Sequence, residues 1–290
     1  MFGFLNVYKP EGMTSHDVVA RLRRVTKIRQ IGHTGTLDPF AEGVLPICIG
    51  KATRLIEYLN DDKEYLATVQ FGSNTDTYDL DGEVTEAFDR KVTQEEVVEA
   101  LKTFEGEISQ LPPIYSAIKV NGKKLYDYAR EGKDVEIQSR QVFISKIELK
   151  SFDDVAQTAE IIVACSKGTY IRSIAYDLGR KLNCGGHLIK LIRTKAGKFL
   201  VKNSIELAKL ETSEIVRENL INPIDMLELP KLKITDEEYK KVLQGQYFYN
   251  NSIESNGFLI LIYNNSISAI AEYENGKIKV KKVFGWKKHY

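Results

Sequence analysis

The chain has 290 residues, 43% of them hydrophobic, enough to bury a core and too many for a disordered protein. Its 41 Lys and Arg nearly balance 40 Asp and Glu, so the sum excludes neither an acidic nor a basic partner. No apolar run approaches the roughly 20 residues of a membrane helix, and the start lacks the basic and apolar regions of a signal peptide. Cys48, Cys165 and Cys184 lack the paired spacing of a disulfide framework or zinc site. A cytoplasmic protein with reduced thiols and no metal is expected.

The charges are unevenly distributed. Residues 61–110 hold 14 acids against 4 bases, whereas residues 161–202 hold 9 bases, Lys167 and Arg193 among them, against Asp177 alone. After Gly276 come Lys277, Lys279, Lys281, Lys282, Lys287 and Lys288 without an acid, interleaved with Phe284, Trp286 and Tyr290. Basic stripes with aromatics suit a nucleic-acid backbone and stacked bases. A solvated surface, balanced elsewhere in three dimensions, fits the same pattern.

Residues 1–9 read as a strand ending in the turn KPEGMTS, after which Ser15 is placed to cap a helix to about Thr26 with Val18, Val19 and Leu22 on one face. Between Gly32 and Gly43, three glycines and the turn-prone Asp38-Pro39 and Glu42-Gly43 predict an ordered loop rather than helix or strand. Residues 44–49 and 65–71 read as strands with a short helix between them. Thr93 and Glu96 form a capping box opening a helix that buries Val97, Val98 and Leu101. Residues 142–149 and 158–165 alternate like paired antiparallel strands, and residues 170–182 have helical spacing through Ile171, Ile174, Ala175 and Leu178. After about Leu229 come short β-prone runs, FLILIY, SISAIAEY and KIKVKKVF, separated by Asn and Gly turns. The pattern is α+β. It divides into residues 1–228 and a small β-rich unit, 229–290, close-packed because no linker separates them.

The segment GHTGTLDP presents one carboxylate, Asp38, in a glycine-containing loop where substrate can approach closely. A side chain that merely caps the following turn is the alternative. Neither a P-loop nor a dinucleotide fingerprint is present. A lone catalytic Asp needs a cation to stay ionised when water is excluded. Arg172 is the candidate, with Tyr170 beside it, where a strand ends and a helix begins in CSKGTYIRS. A surface Arg and a half-buried Tyr are the plain alternative.

These residues fit a known pattern. NVYKPEGMTSHDVV, GHTGTLDPFAEGVLPICIGKATR, KEYLATVQFGSNTDTYDLDG, PPIYSAIKVNGKKLYDYAREG, CSKGTYIRSIAYDLG and CGGHLIKLIRTKAG occur in order over most of residues 3–200. Together they resemble the bacterial tRNA pseudouridine synthase B family, the tRNA pseudouridine-55 synthases. The resemblance implies a mixed, largely antiparallel sheet in a catalytic domain (1–228) and a small C-terminal PUA-like RNA-binding domain (229–290). It also implies isomerisation of uridine 55 in the T loop by base flipping, without metal or cofactor. Asp38 would be the catalytic carboxylate, Arg172 its ion-pair partner and Tyr65 the stacking platform, with Tyr170 over the site as a candidate to take the C5 proton. Leu191 would wall the pocket, His33 would enter the RNA loop, and Lys9 would support the site; all three count, with Lys167 and Arg193, as RNA-binding candidates. A monomer acting on the tRNA T arm, with no membrane and no obligatory protein partner, is expected.

Three rivals are weighed against this. A non-catalytic tRNA-folding chaperone is disfavoured by the intact Asp38, Tyr65, Tyr170 and Arg172, although both roles can coexist. An RNA-guided synthase is disfavoured by the absence of long extra tails. A glycosidase needs a second carboxylate, and only Glu42 is close to Asp38 in sequence.

Overall fold

The computed structural model describes residues 1–285 except 117, 134 and 254, so Trp286, Lys287, Lys288 and Tyr290 of the basic tail lie outside the described residues. Period-two burial draws the main strands: Lys63–Phe71 turns Tyr65, Ala67, Val69 and Phe71 inward. Ten strands form one sheet. Eight of them run in the order Ile205–Glu206, Gly3–Lys9, Glu42–Ile49, Gly186–Ala196, Lys63–Phe71, Thr158–Cys165, Arg140–Asp153 and Gly106–Gln110, while Ile31–His33 and Phe199–Leu200 pair off this path. Two contacts are parallel, Gly3–Lys9 with Ile205–Glu206 and Gly186–Ala196 with Glu42–Ile49, and the rest are antiparallel. The sheet is therefore mixed and largely antiparallel, as expected.

The second parallel contact matters for the site. It sets Arg193 beside Gly43 on one flank, and the antiparallel contact sets it beside Tyr65 on the other. Gly43 has φ +101°, and a Cβ there would lie 2.4 Å from the Arg193 carbonyl oxygen. Only glycine lets the two strands lie together at that point.

Several local expectations need correction. Helix Ser15–Thr26 is capped by Thr14, in a capping box with Asp17, rather than by Ser15. The buried Ser15 hydroxyl instead turns inward to Leu37. Both ends of the predicted glycine loop are strand, Ile31–His33 and Glu42–Ile49, because each finds a ladder partner in the sheet. The short helix between the next two strands is the 3₁₀ segment Gly50–Tyr58. Helix Gln94–Lys102 has the expected Thr93–Glu96 box and buries Val97 and Leu101, but Val98 points to solvent.

The β-prone runs near the C-terminus become Gly257–Tyr263, Ser266–Glu274 and Lys277–Val283, completed to five strands by Lys231–Lys233 and Phe248–Tyr249. Asn264, Asn265, Asn275 and Gly276 take the positive φ that tight hairpin turns require. This sheet shares an apolar cluster with the larger one: Phe4, Val44, Leu55 and Phe199 pack with Ile260, Ile262, Ile270 and Phe284.

Candidate active site

The loop carrying Asp38 is fixed through its backbone. Arg193, 1% exposed, donates Nη2 to the Gly35 carbonyl (3.0 Å), Nη1 to that of Thr36 (3.4 Å) and Nε to that of Val44 (2.7 Å). Ser15 Oγ accepts from Leu37 N (2.9 Å) and donates to Leu37 O (3.2 Å). Fully buried Lys9 donates Nζ to the carbonyls of Pro10 (2.8 Å), Met13 (2.6 Å) and Pro39 (3.2 Å). Burial lowers the pKa of its ammonium to about 8.

Lys9 and Arg193 therefore depart from the RNA-binding expectation. Both are internal, with their donors on main-chain oxygens, and neither presents charge to a phosphate. The basic run of residues 161–202 divides accordingly, with Arg172 and Arg193 buried and its other seven bases exposed. Lys167 is one of the exposed seven, 3.3 Å from Asp61 and one residue from the cavity-lining Gly168.

With the loop held, its turn closes by backbone, Ala41 N donating to Asp38 O at 3.1 Å. The Asp38 carboxylate is aimed elsewhere. Its Oδ1 accepts from Arg172 Nη2 at 3.3 Å, and its Oδ2 lies 3.0 Å from Nε. Arg172 is 5% exposed and has Asp79 on its other side, Nη1 to Oδ2 3.2 Å, with further donations to Thr77 O (3.1 Å) and Tyr115 O (2.9 Å). Asp79 is itself buried and accepts from Thr77 Oγ1 (2.5 Å) and Asp81 N (3.1 Å). Burial pushes its pKa upward against those contacts. One guanidinium thus joins two carboxylates, and only Asp38 borders the cavity.

That cavity, about 420 Å³, is lined by residues from five separate parts of the chain, among them Asp38, Tyr65, Tyr170, Arg172 and Leu191. Tyr65 and Leu191 come from adjacent sheet strands. Tyr170 and Arg172 come from the start of helix Ile171–Lys181, so both face the cleft from the first turn as anticipated. Gln110 clamps Tyr170 from behind, accepting from its N–H (2.8 Å) and donating to its carbonyl (3.0 Å). Burial raises the Tyr170 and Tyr65 pKa values above the ordinary 10. Both are therefore neutral phenols at physiological pH, and in the free protein Tyr170 is not a ready base.

His33 lies outside the cavity lining, at the end of its strand. Its ring meets His16 edge-on, with centroids 5.6 Å apart. Burial lowers its pKa to about 4, leaving an uncharged imidazole.

Among the cavity or network residues that sequence reasoning missed are Lys63, Tyr115, Tyr126 and Asp79. All fall inside the quoted family blocks, but Asp79 was submerged among the 14 acids of residues 61–110. Its signal was the run Asp76-Thr77-Tyr78-Asp79, whose left-handed Tyr78 (φ 63°) turns Thr77 O and Asp79 toward one cation. Among the described residues, no group of three or more His, Cys, Asp or Glu is placed to hold a metal ion.

Known proteins resemble this chain over most of its length. The model of the TruB family pseudouridylate synthase N-terminal domain matches residues 23–171, and that of the tRNA pseudouridylate synthase B C-terminal domain matches residues 172–228. The chain is 39% identical to tRNA pseudouridine synthase B of Clostridium kluyveri over 98% of its length and 100% of that protein. It is 41% identical to that of Caldanaerobacter subterraneus subsp. tengcongensis over 97% of its length and 99% of the relative. Among solved structures, a chain of a Cbf5-Nop10-Gar1 complex superposes with a TM-score of 0.74 at 26% identity, covering 98% of this chain and 85% of that one. A chain of an archaeal box H/ACA sRNP Nop10-Cbf5 complex gives 0.70 at 25% identity, with 98% and 86% covered.

Proposed function

The chain belongs to the TruB family of pseudouridylate synthases, and from that premise we propose that it isomerises uridine 55 in the tRNA T loop, with Asp38 acting at the sugar. The observation that carries the assignment is the ion pair of Asp38 with buried Arg172 at the edge of a cavity bordered by Tyr65 and Leu191.

The chemistry follows from these positions. The target base must leave its stack, at a cost of a few kcal/mol that contacts along the RNA offset. Arg172 holds its positive charge against Asp38 when the base displaces water. The C1′–N1 bond then breaks and its electron pair leaves with the ring, while an Asp38 oxygen either bonds C1′ or takes a sugar proton. The ring turns against Tyr65 and Leu191, which hold it in place. C5 joins C1′ as the Asp38–C1′ bond breaks or as Asp38 returns the sugar proton; C5 then loses its proton and N1 gains one, so atoms and charge balance without an oxidant or reductant.

We assign phosphate contacts to exposed bases near the mouth, Lys167 first. Residues 229–290 serve as a PUA-like RNA-binding domain attached to a catalytic domain of residues 1–228. The protein works as a cytoplasmic monomer on the T arm, without an obligatory protein partner. The test is to incubate it with unmodified tRNA and map pseudouridine by carbodiimide adducts, beside Asp38→Asn. Product at the T-loop uridine with wild type only is expected. RNA binding without product from wild type would sink the reading, and a refolding assay on both proteins would register any chaperone activity separately.

A further inference from the structure

Breaking C1′–N1 with the electron pair on the ring leaves a uracil anion, its charge shared between N1 and the carbonyl oxygens. Stabilising it requires a donor or cation facing the base. Two cations line the cavity among the described residues, Arg172 and Lys63. The Arg172 guanidinium is held between the Asp38 and Asp79 carboxylates, with donations to Thr77 O and Tyr115 O. Those of nearby Arg193 are committed to the loop carbonyls.

Lys63 is placed differently. It opens strand Lys63–Phe71 two residues before Tyr65, and so stands on the same face as the expected stacking platform. Its Nζ donates to Asp61 O at 3.1 Å, which uses one of three ammonium hydrogens. Its end crosses the aspartate loop at Gly35, where a Cβ would come within 3.4 Å of Cε and 4.0 Å of Nζ. The bare Gly35 leaves the ammonium room to move toward the cavity.

We propose that Lys63 is a catalytic residue: its ammonium binds a carbonyl oxygen of the flipped uracil and stabilises the ring anion as the glycosidic bond breaks. No proton leaves Lys63, and the ion pair dissolves when C5 joins C1′ and the ring is neutral again. The inference rests on the isomerase reading above, and it holds whether Asp38 bonds C1′ or takes a sugar proton. The groups facing Lys63 are Arg193, Asp61, Cys165 and Lys167. Burial first, then Arg193, lowers its pKa, so the charge is lost at a less alkaline pH than that of a surface lysine.

The experiment compares wild type, Lys63→Met and Lys63→Arg in single-turnover pseudouridine formation on a T-arm RNA, with RNA affinity measured over a salt series. Lys63→Met should slow the rate constant on the order of 100-fold. Its RNA affinity should stay within about twofold and its salt slope should be unchanged. Lys63→Arg, which keeps a cation and an intact stem, should recover part of the rate and move the alkaline fall in rate to higher pH. It keeps the pH arm readable if the Met variant fails to fold. An unchanged rate for Lys63→Met overturns the proposal. So does a wild-type rate at saturation with a salt slope reduced by about one, which marks a phosphate contact. Failure of wild type to form pseudouridine would sink the isomerase reading instead.

Discussion

The Asp38 loop and the C-terminal hairpins both fix a short irregular segment between strands, and they do so by opposite means. The hairpin turns hold themselves, through residues that tolerate positive φ at the bend and apolar alternation on either side. The Asp38 loop is held from outside. Lys9 reaches it from 30 residues away and Arg193 from 158, each burying a positive charge against main-chain oxygens. Buried charge is costly unless fully partnered. It is spent where a carboxylate must keep its aim while water is excluded, and among the described residues the C-terminal sheet holds none.

The comparison can be tested most severely at Arg172. Replacing it by Met removes the cation of Asp38, and product formation should fall on the order of 1,000-fold in single turnover. A fall below tenfold would mean that Asp38 keeps its aim and charge without the ion pair. Arg193→Met should next lower stability by about 3 kcal/mol in urea denaturation, because three main-chain carbonyls, that of Val44 buried, lose their donor and a buried charge is removed. Were the loss under about 1 kcal/mol, the loop would hold itself as the hairpins do.

In the hairpin region, Gly276→Ala strains a φ of +83° and brings a Cβ to 2.9 Å from Asn251 Oδ1. Stability should fall by about 1 kcal/mol while isomerisation on a T-arm RNA is unchanged. Activity falling in step would tie the two regions together. The smallest effect concerns acid. His33 has a folded pKa of about 4 against 6.5 unfolded, so the unfolded chain binds more protons between those values. Stability is complete above 6.5 and declines as pH falls toward 4. His33→Asn should flatten that part of the curve of urea midpoint against pH, and an unaltered slope would assign it to other groups.

What could be read beforehand follows the same division. The hairpins are written locally, in Asn and Gly between alternating runs, and the strands between residues 257 and 283 were legible as β, whereas helix Asp236–Leu243 breaks the β reading of residues 229–290. Asp38 and Arg172 were legible as a pair only through the family resemblance, since charge and spacing alone left a turn cap and a surface arginine standing. Arg193 and Lys9 were misread because a cation destined for a carbonyl looks like one destined for a phosphate; burial decides, and burial belongs to the folded whole. Thr14 and Ser15 are equally able to cap. The choice between them was made by Leu37, 22 residues beyond Ser15, which claims the serine hydroxyl from both its N–H and its C=O.

One strand has a further consequence. Leu191 and Arg193 project from the same side of Gly186–Ala196, one bordering the cavity and the other fastening the loop beneath Asp38. Their separation along the chain, about 6.6 Å, is two pleats of a strand. The strand therefore works as a ruler: a slip in its register would shift wall and floor together, and the gauge of the cavity would survive a displacement that ruined its position.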